Sequence, residues 1–333
     1  MRTLLLTHSD VKKVLSDMGR VIEVVETAFR DKGLGKVQMP AKVYLNFSKY
    51  NGDLRAMPSY LESLDIAAVK IVNSHPDNRK LHGLPTVMAV LTLVDPRTGF
   101  PLAIMDGTFL TSMRTGAAGG VAAKYLANPK PRTVAMIGAG TQARTQLNAL
   151  MTVFKTIETV KVYDISQAAA RSYIDEMSRQ YSGVDFIMAE NPSEAVKSAD
   201  IITTTTPSKS PIVSASAVEE GMHFNCIGAD APGKEELDPE ILKRAKIVVD
   251  DFEQGIHGGE VNVPISRGII RREDIYGELG EIIAGLKAGR EKENEITVFT
   301  STGLAIQDAV TAKLVYDLAR EQNIGMTLDI VGV

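Results

Sequence analysis

The stretch TVAMIGAGTQA, residues 133–143, decides the fold of this chain. A strand-forming run, TVAMI, leads directly into the glycine turn GAG, and the helix-forming segment RTQLNALMTVF follows. A glycine turn between a strand and a helix is typical of parallel α/β sheets that bind the pyrophosphate of a dinucleotide. The order of strand, turn and helix therefore predicts a Rossmann-type domain, which the glycine pattern alone would support only weakly.

At several positions around the turn, the residue type has a specific physical role. Gly138 permits the tight turn, and Gly140 lets a phosphate approach the backbone. Amide groups near Thr141 and Gln142 lie at the start of the helix, where they face an anion. Asp164 ends the next run, TVKVYD, where an acidic side chain accepts hydrogen bonds from ribose hydroxyls and repels a 2′-phosphate. The sequence thus predicts NAD rather than NADP; the alternative is a structural glycine turn beside a surface aspartate.

Apolar runs alternate with helical stretches from residue 133 to 251, as in a parallel sheet with helices on both faces. The runs are TVAMIG, TVKVYD, GVDFIM, ADIITTTT, HFNCIG and AKIVVDD. A later run, ITVFTS (296–301), is a candidate to close this sheet. Ligands of such sheets bind beyond the carboxyl ends of the strands. Thr205 and the segment Ile227-Gly228-Ala229-Asp230 follow two such ends, so we expect them to contact the cofactor.

The chain before this region follows a different pattern. Residues 1–30 have helical periodicity, and short strand-like runs such as AAVKIV and TVMAVLTLV fill residues 37–106. The final helical segment is predicted to return to this first part. We therefore predict an α/β fold with two domains around a cleft. A Rossmann-type doubly wound parallel-sheet domain spans 116–304, and a second α+β domain combines 1–115 with 305–333.

Composition excludes several classes of protein. Hydrophobic residues make up 44% of the 333 residues, yet no apolar run reaches the roughly 18 residues of a membrane-spanning helix. The net charge of −4, without a basic tract, argues against a nucleic-acid partner. Cys226, the single cysteine, lacks metal-ligand spacing and is predicted to be a core residue. We expect a cytoplasmic protein with no metal site and no membrane partner.

Segments along nearly the whole chain carry a resemblance to a known family. They include QMPAKVYL (38–45), DLRAMPSYL (53–61), VKIVNSHPDN (69–78), SMRTGAAGGVAAKYLA (112–127), IGADAPGKEEL (227–237) and STGLAIQDAVTAK (301–313). In this order they resemble the ornithine cyclodeaminase/μ-crystallin family, and most closely its archaeal-type alanine dehydrogenase branch. The resemblance implies that the second domain binds substrate and dimerises. It also implies reversible NAD-dependent deamination of L-alanine to pyruvate and ammonia by a homodimer.

One position separates the branches of this family. Its cyclodeaminases have a Glu that is separated from Met-Pro by one intervening residue, whereas this chain has Arg55 at that position, in RAMP (55–58). This departure argues against ornithine cyclisation, and Lys42 after MPA (39–41) resembles the alanine dehydrogenase branch. The alternatives are an ornithine cyclodeaminase, a ketimine (pyrroline-2-carboxylate) reductase, or a non-catalytic μ-crystallin-like protein that binds NAD(P)H or a small ligand.

Lys70 and Asp230 are the candidate catalytic residues. Lys70 lies in the apolar run AAVKIV, where a lysine is unfavourable unless it is functional, paired or at a sheet edge. Near two arginines its pKa should fall, which would let it exchange protons near neutral pH. The alternative is a lysine on the solvated face of an edge strand. By resemblance, Asp230 matches the general base of the cyclodeaminases; the alternative is a turn cap.

Other polar residues are candidates for binding. Arg55 and Arg114 are predicted to anchor the substrate carboxylate, because a guanidinium binds carboxylate bidentately, unless they form surface or interdomain ion pairs. The resemblance also places Arg114 beside the cofactor phosphates. Lys42 is expected to bind the substrate carboxylate or keto oxygen. Lys234 is expected to meet cofactor phosphate or ribose, and Ser301 to approach the nicotinamide side.

Overall fold

The computed structural model describes residues 2–332, which divide into two compact units. One unit runs to Arg114 and resumes at Leu304, and the other is Thr115–Gly303. The boundary at Arg114 falls inside a helix that spans Thr108–Leu126. No helix among residues 2–332 combines the length and the apolar character needed to cross a membrane.

The first unit is a mixed sheet with helices packed on one face. Its strands are β1 (Thr3–Leu6), β2 (Val37–Gln38), β3 (Val43–Phe47), β4 (Gly52–Leu61), β5 (Ile66–Ser74), β6 (Val87–Val94), β7 (Pro101–Asp106) and β18 (Met326–Leu328). Its helices are α1 (His8–Val14), α2 (Met18–Gly33), α3 (Asn78–His82), the first part of α4 (Thr108–Leu126) and α12 (Ala305–Glu321).

Strands of this sheet lie in the order β18-β1-β7-β6-β5-β4-β2, with β3 paired to β4. Side chains alternate across β5: Lys70 is buried, whereas its neighbours Val69 and Ile71 are exposed. The buried face packs against α12, where Ala305 joins a small apolar cluster. Because β5 lies between β4 and β6, the edge-strand interpretation of Lys70 is wrong.

The second unit contains an eight-stranded, fully parallel sheet and a separate pair of strands. Its strands are β8 (Thr133–Ile137), β9 (Thr159–Tyr163), β10 (Asp185–Met188), β11 (Ile201–Thr204), β12 (Lys209–Val213), β13 (His223–Cys226), β14 (Glu235–Leu237), β15 (Ala245–Val249), β16 (Ile275–Glu278) and β17 (Ile296–Thr300). Its helices, besides the rest of α4, are α5 (Thr141–Val153), α6 (Gln167–Gln180), α7 (Pro192–Val196), α8 (Pro239–Leu242), α9 (Phe252–Gly258), α10 (Asn262–Ser266) and α11 (Leu279–Ile283).

The order of the parallel sheet is β10-β9-β8-β11-β13-β17-β15-β16, with a separate pair of β12 and β14. Every residue of β11, β13 and β17 is buried, as expected of strands covered on both faces. The strand order reverses next to β8, which is where ligands of such sheets bind. The Rossmann-type fold is thus confirmed.

One element of the parallel sheet is not where the sequence suggested. The run ITVFTS forms β17, but it lies between β13 and β15 rather than closing the sheet, and β16 occupies that edge. A continuous apolar run indicates burial on both faces, and both faces are covered only for strands inside the sheet. Cys226, at the end of β13, is buried in the apolar core as predicted.

Candidate active site

A cavity of about 480 Å³ lies at the carboxyl ends of β8, β9 and β11. Its walls are formed by Gly138, Ala139, Gly140, Tyr163, Asp164, Ile165, Thr205, Thr206, Pro207, Ser208 and Ile212. Among the residues predicted to bind the cofactor, the structure therefore gathers Gly138, Gly140, Asp164 and Thr205 around one cavity.

The glycine turn shapes one wall of this cavity. Gly138 has a φ of +99°, and a Cβ atom there would lie 2.8 Å from Oγ1 of Thr205, so another residue type would be strained and crowded. A Cβ at Gly140 would meet nothing within 4 Å, so the backbone there faces open space. Gly140 caps α5 without a side-chain hydrogen bond, so the first amides of the helix, near Thr141 and Gln142, are suited to an anion.

Asp164 is held rigidly at the rim of the cavity. Its carboxylate accepts hydrogen bonds of 2.8 Å from the backbone N–H groups of Ala139 and Ser166. The next residue, Ile165, is 95% exposed and forms part of the cavity wall. No basic residue occurs among the described lining residues, so nothing in this wall would neutralise a 2′-phosphate. The cavity is therefore suited to a dinucleotide whose adenosine ribose carries a 2′-hydroxyl rather than a 2′-phosphate.

Glu236 ties together the loops that follow β11 and β13, and the sequence analysis missed it. Its Oε1 accepts hydrogen bonds from the N–H and hydroxyl of Thr206, at 2.7 and 2.8 Å. Its Oε2 accepts from Thr204 at 2.8 Å and from the Gly228 N–H at 3.0 Å. Burial raises the pKa of Glu236, while these hydrogen bonds oppose the shift. In the same loop, Ile227 and Ala229 are buried.

Asp230 follows β13 in the loop that the sequence indicated. Its carboxylate lies 2.5 Å from Nζ of Lys234, and the side chains are 36% and 24% exposed, respectively. Lys234 also donates a 3.3 Å hydrogen bond to the carbonyl of Gly228. Asn262 holds the same loop by accepting from the Gly233 N–H and donating to the Lys234 carbonyl, both at 2.9 Å. The loop therefore presents a partly exposed carboxylate in a defined position.

Ser301 lies at the end of β17 and is only 2% exposed. Its N–H donates to the Cys226 carbonyl at 3.0 Å, and its hydroxyl lies 3.4 Å from Oδ2 of Asp250. Asp250, which is fully buried, also accepts from the N–H groups of Thr302 and Gly303. Hydrogen bonds to Asp250 thus hold the segment that follows β17. A contact of Ser301 with nicotinamide stays a prediction.

Buried charged side chains meet in the first unit. Nζ of Lys70 lies 2.7 Å from Oδ2 of Asp308 and 3.3 Å from Oγ1 of Thr111. Arg114 donates from Nε to Oδ1 of Asp308 and from Nη1 to Oε1 of Gln307, both at 2.9 Å. The side chains of Lys70 and Asp308 are each 1% exposed, and that of Arg114 is 6% exposed. Three elements, β5, α4 and α12, therefore contribute to one ion-pair cluster.

Lys70 has the lowered pKa that the sequence predicted. Burial is the largest cause and lowers the pKa of Lys70 to about 7, with Arg114 and Lys42 acting in the same direction. Asp308 opposes the shift. Of the two arginines named in the prediction, Arg114 contributes to the fall in pKa, but removing an ammonium from water outweighs each neighbouring charge here.

Arg55 is arranged differently from Arg114. It lies on β4, where Nη2 is 2.8 Å from Oδ2 of Asp53 and the guanidinium stands 5.4 Å from the centre of the Tyr44 ring. Lys42 is half-buried and lies near enough to Lys70 to influence its pKa. The structure thus brings Lys70 and Arg114 together around Asp308, with Lys42 close enough to act on Lys70. Arg55 is paired with Asp53 instead.

Asp308 and Gln307 were missed by the sequence analysis. The available signal was an aspartate inside the apolar segment LAIQDAV, a pattern that suggests a buried and paired charge. Across residues 2–332, no group of three or more His, Cys, Asp or Glu side chains is arranged to hold a metal ion.

Comparison with known proteins gives consistent matches along the chain. The family model described as the ornithine cyclodeaminase/mu-crystallin family matches residues 1–323. The chain is 54% identical over 325 residues to alanine dehydrogenase of Archaeoglobus fulgidus, which covers 98% of both proteins.

Two solved structures are similar over the full fold. An archaeal alanine dehydrogenase dimer with bound NAD has a TM-score of 0.94 and 52% identity, covering 99% of this chain and 100% of that one. The Δ1-pyrroline-2-carboxylate reductase of Thermococcus litoralis, in complex with NADH and L-proline, has a TM-score of 0.94 and 43% identity, covering 98% and 100%. The chain belongs to the ornithine cyclodeaminase/mu-crystallin family, as its motifs predicted.

Proposed function

We propose that this protein is an NAD-dependent L-alanine dehydrogenase. It converts L-alanine, NAD+ and water reversibly to pyruvate, ammonium, NADH and a proton. The observation that carries this proposal is the 54% identity to the Archaeoglobus fulgidus alanine dehydrogenase across 98% of both chains. The cavity beside Asp164 supports NAD as the cofactor, and the charges around Lys70 support a substrate that carries a carboxylate.

The charge balance around Lys70 suits an amino-acid or 2-oxo-acid carboxylate. Arg114 and Lys42 both act on Lys70, and Asp308 is the carboxylate that pairs with Lys70 and Arg114. A substrate carboxylate would restore the balance, and the planar guanidinium of Arg114 is suited to bind it. We assign Arg114 and Lys42 to substrate binding, with Arg55 as a further anchor on β4.

Lys70 and Asp230 are proposed to move protons. A pKa of about 7 lets Lys70 accept a proton in alanine oxidation and return it in the reverse direction. Asp230 is partly exposed and accepts a proton from the substrate ammonium or from the attacking water. NAD, when bound, supplies the hydride acceptor. The chain itself binds the substrate, orients it and handles its protons.

An assay with three substrate sets tests the proposal. We expect NADH oxidation with pyruvate plus ammonium, little with pyrroline-2-carboxylate, and no NAD+-dependent ammonia release from ornithine. Activity confined to the cyclic imine would overturn the choice of substrate. Cofactor binding without turnover in any reaction would overturn the assignment as an enzyme.

A pyrroline-2-carboxylate reductase is the second candidate. It is favoured by the 43% identity and the TM-score of 0.94 to the Thermococcus litoralis reductase. Both reactions reduce a carbon–nitrogen double bond next to a carboxylate, so the same cationic cluster would serve either substrate. The comparison of pyruvate plus ammonium with the cyclic imine distinguishes the two.

Asp164→Ser is expected to shift the cofactor preference toward NADP. The substitution removes a fixed negative charge from the cavity rim, and like-charge contacts at binding sites cost several kcal/mol. The ratio of kcat/KM for NADP+ to that for NAD+ should rise by about tenfold or more. Asp175→Ser, which changes an exposed acid on α6, should leave the ratio unchanged. An unaltered ratio in Asp164→Ser would exclude the ribose contact.

We further propose that the protein forms a homodimer through the exposed face of the first sheet. Val43, Ile71 and Val90 are 59%, 45% and 52% exposed, and they fall in one row across β3, β4, β5 and β6 with Ala56 between the first two. Such a contiguous apolar surface marks an interaction site. The similar archaeal alanine dehydrogenase structure is described as a dimer. A cytoplasmic location stays a prediction.

Val90→Asp is expected to convert the dimer to monomer, because a charge would be buried in the apolar interface. Sedimentation velocity at micromolar concentration measures the change. Leu286→Asp, which alters an exposed leucine of the other unit, should leave the dimer intact. A Val90→Asp protein that sediments as the wild type does would contradict this interface.

A further inference from the structure

Asp308 lies in the first turn of α12 and is 1% exposed. Its two carboxylate oxygens have different partners: Oδ2 lies 2.7 Å from Lys70 on β5, and Oδ1 accepts from Nε of Arg114 on α4 at 2.9 Å. The start of a helix carries a partial positive charge, and Asp308 lies at that end of α12. One buried carboxylate thus joins two cations that belong to two other elements.

The surroundings of Lys70 show what this carboxylate counteracts. Thr111 and Arg114 face the ammonium from α4, Lys42 acts on it from the segment before β3, and Asp308 faces it from α12. Arg114 and Lys42 disfavour the protonated form of Lys70, as does burial, whereas Asp308 favours it. Asp308 is therefore the group in this cluster that keeps a buried ammonium close to a guanidinium.

We propose that Asp308 is a positioning residue for the dehydrogenase reaction. It holds the Lys70 ammonium and the Arg114 guanidinium at a fixed spacing, so that Lys70 exchanges a proton with the substrate while Arg114 binds the substrate carboxylate. This inference rests on the proposed function and adds a third residue, which itself does not touch the substrate.

Gln307 strengthens the geometric case. Its Oε1 accepts from Nη1 of Arg114 at 2.9 Å and from the N–H of Leu304 at 3.2 Å, so Arg114 is tied to the beginning of α12. Asp308 and Gln307 together engage Nε and Nη1. These contacts use two of the five guanidinium N–H groups, and Nη2 takes part in neither of them, so we assign this side of Arg114 to the substrate carboxylate.

Asp308→Asn tests the proposal, because asparagine keeps the size and removes the charge. We expect kcat for alanine oxidation to fall by about tenfold or more. Oxidation requires neutral Lys70, so its rate rises with pH as Lys70 loses its proton. Without the carboxylate the pKa of Lys70 falls further, and the rising limb of kcat/KM should move to lower pH by about one unit. The dissociation constant of NADH should stay within about twofold of the wild-type value.

Ser59→Ala is the matched control. The Ser59 hydroxyl donates a 3.0 Å hydrogen bond to the carbonyl of Ala305, so the variant loosens the start of the same helix without removing a charge. Its pH profile should keep the wild-type position. An unmoved limb in Asp308→Asn, or an equal displacement in Ser59→Ala, would show that Asp308 acts only as a structural support.

A second variant and a substrate-free measurement guard against a misfolded Asp308→Asn protein. Asp308→Glu keeps the charge but displaces it by one methylene group, so kcat should fall by about tenfold with the limb in place; a wild-type kcat would overturn the positioning role. Titration of the Lys70 side-chain signal in protein with ¹³C-labelled lysine, assigned by its loss in Lys70→Met, should give a lower pKa in Asp308→Asn. If the pKa of Lys70 is lower in Asp308→Asn than in the wild type, but the wild type does not oxidise alanine, the substrate proposal is refuted. If the wild type oxidises alanine but the pKa of Lys70 is the same in both proteins, the role of Asp308 is refuted.

Discussion

Lys70→Met is expected to lower kcat for alanine oxidation by about a hundredfold to ten-thousandfold, which is the usual contribution of a positioned acid or base. Methionine fills much of the buried space of the lysine stem, so the fold should survive the loss of the amine. Arg114 remains as a partner for Asp308, which keeps that carboxylate paired. Steady-state kinetics with alanine and fluorescence titration with NADH measure the change in kcat and the retained cofactor binding.

The role of Lys70 predicts how the rate in each direction changes with pH. In the wild type, kcat/KM for oxidation should rise as pH increases through about 7, because neutral Lys70 accepts the proton. The reductive direction requires protonated Lys70, so its rate should fall over the same range. Both limbs should disappear in Lys70→Met, whereas Lys12→Met, at an exposed lysine of the same unit, should retain them. Near-normal turnover in Lys70→Met would remove Lys70 from the mechanism.

Asp230→Asn should have an effect of similar size, about a hundredfold to ten-thousandfold in kcat. The amide oxygen of asparagine can still accept a hydrogen bond from Lys234, and Asn262 holds the backbone of the loop independently. The variant therefore keeps the shape of the loop and removes the basic carboxylate. Single-turnover measurement of NADH formation with alanine reports the loss without interference from product release.

Lys234→Gln distinguishes the effect of the Asp230 carboxylate itself from the effect of its ion pair with Lys234. This variant removes the cation 2.5 Å from the carboxylate but keeps the carboxylate itself. Its kcat should fall less than that of Asp230→Asn, with most of the effect in the KM for the cofactor. If the two variants lose the same kcat, the ion pair rather than a proton transfer explains the importance of Asp230.

Local sequence patterns could predict those features of the protein that depend on residues close together in the chain. The glycine turn at 138–140 is one example, since a tight turn and a helix start depend on a few consecutive residues. Asp164 is another, because its place follows from the end of the next strand. The two buried faces of the parallel strands could also be read from their continuous apolar runs, since burial selects residue type directly.

The family motifs extended this prediction to the overall fold and to the nature of the reaction. They pointed to Lys70, Arg114 and Asp230 as separate positions along the chain. They carried no information about which charge neutralises which, or about how strongly burial lowers the pKa of Lys70. Burial of a single amine depends on everything packed around it, including α12.

The neighbours of each strand and the partners of each ion pair could be identified only from the tertiary structure. The apolar run of β17 announces burial, but its place between β13 and β15 depends on hydrogen bonds with two strands distant in sequence. Arg114 and Asp308 lie 194 residues apart, and no local periodicity links them. Local sequence specifies backbone conformation and burial because those depend on nearby atoms, whereas the electrostatics of Lys70 exists only once β5, α4 and α12 have packed together.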